Sequence, residues 1–320
     1  MNAPPRYLLS IKHLQGECSY HAMLDALKRL SVTVRLVVNK RIVLFDAKNV
    51  EELLEEIYYL PCSEGLFVNA GYIDDLVCDA KYCTVKMLFP NMSGEERNHV
   101  KNALYKRGFR EGRGKTAYII KWLSRPLVYL PLLELRRDRF KPRSPERRIY
   151  FISSSLNPPT ALLLVNASLS RNSENLLDPF AGAGGVLIEA ALRGLYVVGV
   201  ELDYRHIRGA LRNIKQYELS SLVDLVLADS TRAPFRRRSF DAIATDPPYG
   251  RYASTHGEKV ETIYNALKSI AANALRRGGR CAFFSPSNVL PPYSDALTLS
   301  KKCEIYIHSG LTRTLWVYYA

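Results

Sequence analysis

The segment with the clearest chemical meaning is Asp246-Pro247-Pro248-Tyr249-Gly250, which follows a short apolar run. Two consecutive prolines fix φ and cannot donate to a sheet, so the chain should leave a strand here as a rigid extended loop. The Asp246 carboxylate and the Pro247 carbonyl could each accept one N–H of an exocyclic amine and orient its poorly nucleophilic nitrogen. Tyr249 offers a flat face for a stacked base, worth ~1–3 kcal/mol. The segment therefore predicts methylation of an amino nitrogen of a nucleobase, with Asp246, Pro247 and Tyr249 as catalytic residues.

Three further acidic positions follow successive apolar runs upstream of this segment. Asp178 opens the glycine-rich segment 178–185, where glycines let the backbone pass close to a ligand. Glu201, with Asp203 as the alternative, stands where a carboxylate can hold both hydroxyls of a ribose, and one of the two is expected to cap a helix. Asp229 is placed to meet an adenine amino group. The residues expected to bind S-adenosylmethionine are Asp178, Phe180, Ala181, Gly182, Gly184, Glu201, Leu202, Asp229, Ser230 and Asp246.

Residue spacing excludes two other nucleotide-binding motifs and one other methylation chemistry. Leu187 stands where the dinucleotide fingerprint needs its third glycine, and Phe109 stands where a phosphate loop ending at residues 114–116 needs its first. Cytosine carbon-5 methylation needs a cysteine nucleophile, and no cysteine lies near Asp246 in the sequence.

The elements that would position these residues alternate between short apolar strands and helices from Leu176 onward. The predicted strands are 176–179, 196–202, 223–228, 240–245 and 280–285, and the predicted helices are 186–193, 204–217 and 260–275. This alternation predicts a parallel sheet with helices on both faces. Two last apolar runs, 303–308 and 314–319, flank turn residues 309–313 and predict a terminal hairpin. A seven-stranded sheet that ends in a hairpin is the layout of α/β class I (Rossmann-like) methyltransferases.

The first half of the chain is less regular and predicts two small units followed by a linker. Strands at 7–11, 33–38 and 42–45 with helices at 21–30 and 50–59 suggest a ferredoxin-like α+β unit. A strand at 84–88, a helix at 94–106 and a strand at 117–122 form the second unit. Residues 136–148 are charged, contain Pro142 and Pro145, and are typical of a linker.

The net charge of +14 is concentrated in one part of the chain. Between Lys101 and Arg148, fifteen Lys and Arg face only four Asp and Glu, an excess of eleven. A basic stretch of this kind favours a polyanionic partner, and RNA before a membrane surface because no basic amphipathic anchor is evident. The candidate phosphate contacts are Lys101, Arg107, Arg110, Arg113 and Lys115.

The remaining composition favours a cytoplasmic protein without a metal site. The six cysteines form no Cys-x-x-Cys pair, so reduced, mostly buried thiols are expected. No secretory signal precedes the first strand, and no apolar run reaches the ~18–20 residues of a membrane helix. The six histidines form no cluster, and none is assigned a role.

At residues 178–185, 200–203 and 245–251 the sequence resembles the archaeal tRNA guanosine-10 N2-methyltransferases, a THUMP-domain family. The stretches 154–158 and 164–168 are similar to the linker of that family, although Ile152-Ser153 stand where it usually carries His-Pro, so no cofactor contact is assigned there. The resemblance implies a ferredoxin-like domain (residues 1–55), a THUMP domain that binds the tRNA acceptor end (56–135), a linker (136–168) and a catalytic domain (169–320) that makes N2-methyl- and then N2,N2-dimethylguanosine at position 10.

Two alternatives stay open from the residues alone. The same chemistry could act on N2 of guanine or N6 of adenine at another site in RNA or DNA. A protein of a different class, a catalytically idle THUMP RNA-binding protein, could keep a cofactor fold for its shape. The sequence also leaves open whether one methyl or two are added, and whether this chain needs the small zinc-binding activator protein with which relatives outside archaea work.

Overall fold

The computed structural model describes residues 3–11, 17–30, 32–73, 84–112, 114–136, 138–249, 259–287, 289, 295–308 and 311–320. The chain divides into two compact units. The first unit consists of Met1–Lys12, Leu30–Tyr58 and Ser63–Arg137, and the second of His13–Arg29, Tyr59–Cys62 and Asp138–Ala320.

The described residues form twenty-two regular helices and strands, which build the two units. In chain order they are β1 (Tyr7–Ile11), α1 (Glu17–Arg29), β2 (Thr33–Val38), β3 (Ile42–Asp46), α2 (Val50–Tyr58), β4 (Ser63–Tyr72), β5 (Thr84–Leu88), α3 (Gly94–Lys106), β6 (Arg110–Glu111), β7 (Lys115–Trp122), β8 (Arg125–Glu134), α4 (Pro158–Ser168), β9 (Asn175–Asp178), α5 (Gly185–Leu192), β10 (Tyr196–Glu201), α6 (Tyr204–Gln216), β11 (Val223–Leu227), β12 (Phe240–Thr245), α7 (Val260–Ala274), β13 (Leu275–Pro286), β14 (Thr298–His308) and β15 (Leu311–Tyr319). Short 3₁₀ turns at Lys141–Arg143 and Pro145–Arg147 occupy part of the predicted linker.

The first unit is built on one eight-stranded sheet with the order β2-β3-β1-β4-β8-β7-β5-β6. The strand β1 is buried along its whole length and pairs antiparallel with β3 and β4. Successive residues of β7 enter different apolar clusters, Ile119 with Leu104 of α3 and Ile120 with Leu44 of β3. This is the alternation that a strand with both faces covered requires.

Strands from both predicted amino-terminal segments share this sheet. The sequence suggests a boundary near residue 55, but β1 and β4 pair across it, with Leu8 opposite Phe67. The sequence pattern does not predict β4 and β8, because prolines and glycines interrupt their apolar runs. Pro131 of β8 lies opposite Phe67 where the β4–β8 register shifts, so its missing N–H falls at an irregularity in the ladder.

The second unit is built on a seven-stranded sheet with the order β11-β10-β9-β12-β13-β15-β14. The strands from β11 to β13 are parallel, whereas β15 pairs antiparallel with both β13 and β14. The predicted parallel sheet with its terminal hairpin is therefore confirmed. The strands of the hairpin are longer than predicted, and Arg313, expected in the turn, lies within β15 opposite Pro286.

Helices cover both faces of this sheet. On one face α4, α5 and α6 contribute Leu163, Leu187 and Ile214 to one apolar cluster, and on the other α7 contributes Leu267 to a second. The helix α4 lies within residues 136–168, the predicted linker, and all its residues except Pro159 are buried.

The helix α1 is joined to β14 by a disulfide between Cys18 and Cys303, whose Cα atoms are 5.6 Å apart. The expectation of reduced thiols is therefore wrong for this pair. The sequence spacing could not reveal it, because the two cysteines are 285 residues apart and meet only through the fold. Cys62 and Cys281 are buried free thiols, and burial raises the pKa of Cys62 to about 12.

Neither a membrane-spanning helix nor a cluster of metal ligands occurs in the residue ranges given above. None of the helices in those ranges has the length and apolarity to span a membrane. No group of three or more His, Cys, Asp or Glu side chains in those ranges could hold a metal ion.

Candidate active site

A cleft of about 780 Å³ opens at the carboxyl ends of the parallel strands of the second unit. This volume lies within the ~300–1,000 Å³ range of pockets for small molecules and cofactors. The open α/β sheet places its ligand crevice at this end, because the loops after successive strands converge there. The predicted residues that line the cleft are Phe180, Gly182, Glu201, Leu202, Asp229, Ser230 and Asp246. Asp178 and Ala181 line a smaller adjoining cavity together with Asp246, Pro247 and Tyr249.

The glycine-rich loop is held in shape by the buried carboxyl group of Asp178. This carboxyl accepts hydrogen bonds from Phe180 N at 3.1 Å and from Thr245 Oγ1 at 2.6 Å. Burial raises its pKa to about 7, although both hydrogen bonds act in the opposite direction. Gly182 and Gly184 have φ of +52° and +82°, which favours glycine at both positions. Asp178 therefore fixes the backbone of the loop and connects it to the residue that precedes Asp246.

Glu201 ends β10 and connects two segments of the cleft wall. Its Oε2 accepts from Gly182 N at 2.8 Å, its Oε1 accepts from Asp203 N at 2.8 Å, and His206 Nδ1 lies 3.6 Å from Oε1. Burial alone would raise the pKa of Glu201, but the contact with His206 and the hydrogen bonds from the two backbone N–H groups outweigh it, so the pKa lies below its usual value. The same contact with Glu201 raises the pKa of His206. Glu201 is thus held as a carboxylate at the surface of the cleft.

Asp203, the alternative to Glu201, is the helix cap that the sequence suggested for one of the two. Its side chain accepts from Arg205 N at 2.7 Å at the start of α6 and forms an ion pair with the Arg205 guanidinium. These contacts with Arg205 lower the pKa of Asp203. The carboxylate of Asp203 therefore already bonds to the first turn of its own helix.

The loop after β11 places Asp229 and Ser230 on another wall of the cleft. Asp229 Oδ1 accepts from Thr231 N at 2.9 Å and from Thr231 Oγ1 at 2.7 Å, and Arg232 Nε lies 3.4 Å from Oδ2. Ser230 is buried, and its hydroxyl donates to the carbonyl of Pro179. This bond joins the loop after β11 to the glycine-rich loop, so both walls form one connected surface.

Asp246 follows β12, and its two carboxylate oxygens have different surroundings. Oδ2 accepts from Arg313 Nη1 at 2.9 Å, whereas Oδ1 is buried and has no hydrogen-bond partner in the described part of the chain. Burial raises the pKa of Asp246 to about 6, although Arg313 acts in the opposite direction. Pro247 is buried and Tyr249 half-buried beside it, with the Arg313 guanidinium 5.5 Å from the Tyr249 ring centre. Gly250 lies outside the described residues.

Three contributions to the site were not predicted from the sequence. Arg313 carried no signal, because it appeared to belong to a turn. His206 lines the cleft beside Glu201 although it was assigned no role. Ile152 and Ser154 border both the cleft and the adjoining cavity, so the segment without His-Pro does reach the site. For His206, the position three residues after the helix cap Asp203 was the available signal.

The candidate RNA contacts belong to the first unit, and they differ in whether their side chains bond to other groups of the protein. Lys101 Nζ lies 2.8 Å from Glu111 Oε2, which raises the pKa of Lys101. The guanidinium groups of Arg107 and Arg110 donate to backbone carbonyls near the end of α3. Lys115 is exposed at the start of β7. Arg113, the fifth candidate, lies outside the described residues.

The strand order and the site at the carboxyl ends of the strands define a class I methyltransferase fold. TrmN from Thermus thermophilus, a solved structure, shares this fold with a TM-score of 0.55 at 18% identity, over 98% of this chain and 99% of that chain. The family model described as RMKL-like, methyltransferase domain matches residues 145–314. A tRNA (guanine(10)-N2)-dimethyltransferase from Pyrococcus abyssi is 31% identical over 247 residues, which cover 72% of each chain. The chain belongs to the RMKL-like methyltransferase-domain family and, within it, to the family of the archaeal tRNA (guanine(10)-N2)-dimethyltransferases.

The matched region is shorter in other relatives. A tRNA (guanine(10)-N2)-dimethyltransferase from Methanothermobacter thermautotrophicus is 32% identical over 188 residues, which cover 58% of this chain and 55% of that protein. The corresponding protein of Methanocaldococcus jannaschii is matched over 53% of its length. The chain thus spans about half the length of these two relatives.

Proposed function

We propose that this chain transfers a methyl group from S-adenosylmethionine to the exocyclic N2 amine of guanine 10 in tRNA, giving N2-methyl- and then N2,N2-dimethylguanosine. The observation that carries the proposal is the buried Oδ1 of Asp246 beside Pro247 and Tyr249, which has no hydrogen-bond partner among the described residues. A buried acceptor without a donor costs ~1–3 kcal/mol. The N–H of a bound amine would supply that donor. The names of the relatives, tRNA (guanine(10)-N2)-dimethyltransferases, support the choice of base and RNA.

The residues of the cleft fit an adenosine-containing cofactor. The Glu201 carboxylate, held ionised between two backbone N–H groups, keeps lone pairs for the hydroxyls of a ribose. Asp229 and Ser230 would lie along the base, and the turn at Gly182 leaves the space that a side chain would fill. When bound, S-adenosylmethionine supplies an electrophilic methyl group.

The chain's own residues would bind and orient the amine. Asp246 Oδ1 accepts one N–H and the Pro247 carbonyl accepts the other, so that the lone pair of the nitrogen is directed away from both. Tyr249 provides the stacking face for the guanine ring. Because the pKa of Asp246 is about 6, its carboxylate is ionised at neutral pH and can accept a hydrogen bond from the nitrogen as it becomes cationic.

The basic stretch 101–148, which lies in the first unit as far as Arg137, would supply the affinity for tRNA. Its charge excess suits the phosphate backbone, with Lys115 and Arg110 as exposed side chains at the start of β7 and on β6. We assign the ferredoxin-like segment to residues 1–55 and the THUMP segment to residues 56–135 within that unit. The tRNA acceptor end would be their ligand.

The proposal is tested with radiolabelled S-adenosylmethionine and an unmodified tRNA transcript that has guanine at position 10, followed by nucleoside analysis. We expect label in N2-methylguanosine, and none when position 10 is adenine. Asp246→Ala should abolish transfer while cofactor binding, measured by calorimetry, largely survives. Label in methyladenosine, or no label at all with the wild-type chain, would contradict the proposal; the second result would favour an idle RNA-binding protein.

A further inference from the structure

Arg313 reaches the catalytic segment from a distant part of the chain. It lies on β15 opposite Pro286 of β13, and only 8% of its side chain is exposed. Its guanidinium lies 5.8 Å from the ring centre of Phe284 and 5.5 Å from that of Tyr249. A planar guanidinium that pairs with a carboxylate and lies near two aromatic rings is restricted in orientation as well as in position.

The ion pair with Asp246 makes the two carboxylate oxygens unequal. Arg313 takes Oδ2 at 2.9 Å, and Oδ1 is left buried without a partner among the residues that the structure describes. Only 11% of the Asp246 side chain is exposed, so water gives little competition for that oxygen. Both features distinguish Asp246 from Glu201, whose two oxygens already accept backbone N–H groups.

We infer that Arg313 is a positioning residue for the amine: by holding Oδ2 of Asp246 it fixes the carboxylate so that Oδ1 faces the exocyclic N–H of the substrate base, and it holds Tyr249 as the stacking face. The inference rests on the proposed function and deepens it, since it assigns the recognition of an N–H donor to a pair of residues. Arg313 acts through Asp246 and Tyr249 and does not touch the substrate.

Charge gives Arg313 a second effect on the same carboxylate. The titratable groups around Asp246 are Arg313 on β15, Asp178 on β9, Tyr249 in its own loop and Tyr264 on α7. Arg313 is the one cation of this described group, and it opposes the rise in the pKa of Asp246 that burial causes. Without it, Asp246 would hold its proton to higher pH, and a neutral carboxyl group can turn its O–H toward the amine instead of accepting from it.

The test compares Arg313→Gln and Arg313→Lys with the wild-type enzyme and with Arg276→Gln as a matched control. Like Arg313, Arg276 lies on a strand of the seven-stranded sheet and pairs with an aspartate, Asp241, at 2.7 Å. It lies at the start of β13, away from the cleft. For Arg313→Gln we expect kcat at pH 7 to fall on the order of 100-fold with little change in KM for tRNA, as for removal of a preorganised donor. Arg313→Lys should keep part of the activity that Arg313→Gln loses, because lysine retains the positive charge but lacks the planar guanidinium group. Arg276→Gln should keep wild-type kcat.

Two readouts separate positioning from a general loss of structure. Wild-type kcat should rise with pH through about 6 as Asp246 ionises, and Arg313→Gln should move this midpoint upward by about one to two pH units. In the Asp246→Asn background, adding Arg313→Gln should change kcat less than about threefold, because its target is already altered. An unmoved midpoint, or a full further loss in the Asp246→Asn background, would overturn the inference.

A measurement without turnover keeps the inference separate from the proposed function. The pKa of Asp246 can be followed by the ¹³C signal of its carboxyl group, assigned by its loss in the Asp246→Asn spectrum. The inference predicts a higher pKa in Arg313→Gln than in the wild type, and equal values would refute it. If the wild-type chain methylates no tRNA while this shift is present, the proposed function fails and the coupling of Arg313 to Asp246 stands.

Discussion

Glu201→Gln should weaken cofactor binding more than its small change in shape suggests. Gln is nearly isosteric with Glu, but it replaces one carboxylate oxygen by an NH₂ group. In the structure both oxygens accept backbone N–H groups at 2.8 Å, one from Gly182 and one from Asp203. Whichever way the amide turns, one of these N–H groups must face another donor.

The cost follows from those two bonds. A buried N–H without an acceptor costs ~1–3 kcal/mol, and the remaining bond loses the assistance of charge. The substitution destabilises the loop by this amount and presents an amide to the ribose instead of a carboxylate. We therefore expect the Kd for S-adenosylhomocysteine to rise about 10- to 100-fold. Isothermal titration calorimetry measures this Kd directly, and tRNA affinity in a filter-binding assay should stay unchanged.

Asp203→Asn is the matched control for Glu201→Gln. Asp203 caps α6 and pairs with Arg205, and Asn caps helices about as well as Asp, so its Kd should change less than about threefold. If Asp203→Asn weakened binding more than Glu201→Gln did, the assignment of the ribose contact to Glu201 would be wrong.

Three further predictions concern the rest of the molecule. Because burial raises the pKa of Asp178 from 3.8 to about 7, its stabilising effect is complete below pH 3.8 and is lost as the pH rises through about 7. The Tm of the wild type relative to Asp178→Asn should therefore fall between about pH 4 and pH 7 and level off above that, and a constant difference would contradict this. Cys18→Ser should lower the free energy of unfolding in urea by about 2–5 kcal/mol relative to the oxidised wild type, and an equal effect on reduced protein would show that the disulfide is not responsible. Changing Arg110 and Lys115 together to Gln should weaken tRNA binding and reduce the slope of log binding constant against log salt concentration by about two. An unchanged slope would show that neither residue is in the interface.

Much of the site could be predicted because its acidic residues are marked locally. Asp178, Glu201, Asp229 and Asp246 each stand at or just after the end of an apolar strand. In a parallel sheet the carboxyl ends of the strands meet at one edge, so the order along the chain already implies convergence. The two glycines with positive φ supply a further local signal.

What could not be predicted depends on residues that meet only after folding. Arg313 is 67 residues from Asp246 and seemed to belong to a turn, although the strand β15 begins before it. The helix α4 was placed in the predicted linker 136–168 by the family resemblance of residues 154–158 and 164–168, while its burial depends on the sheet beneath it. Which oxygen of Asp246 lacks a partner among the described residues is a matter of atomic geometry, and residue types alone carry no information about it.

The disulfide between Cys18 and Cys303 makes most of the backbone a closed covalent ring. A protease that cuts once anywhere between these residues therefore opens the ring without releasing a fragment. On a non-reducing denaturing gel the nicked chain should keep the mass of the whole, 36.3 kDa, and separate into two pieces only after a thiol is added. Limited proteolysis of this protein accordingly has to be analysed under reducing conditions, since otherwise a cut chain and an intact one look the same.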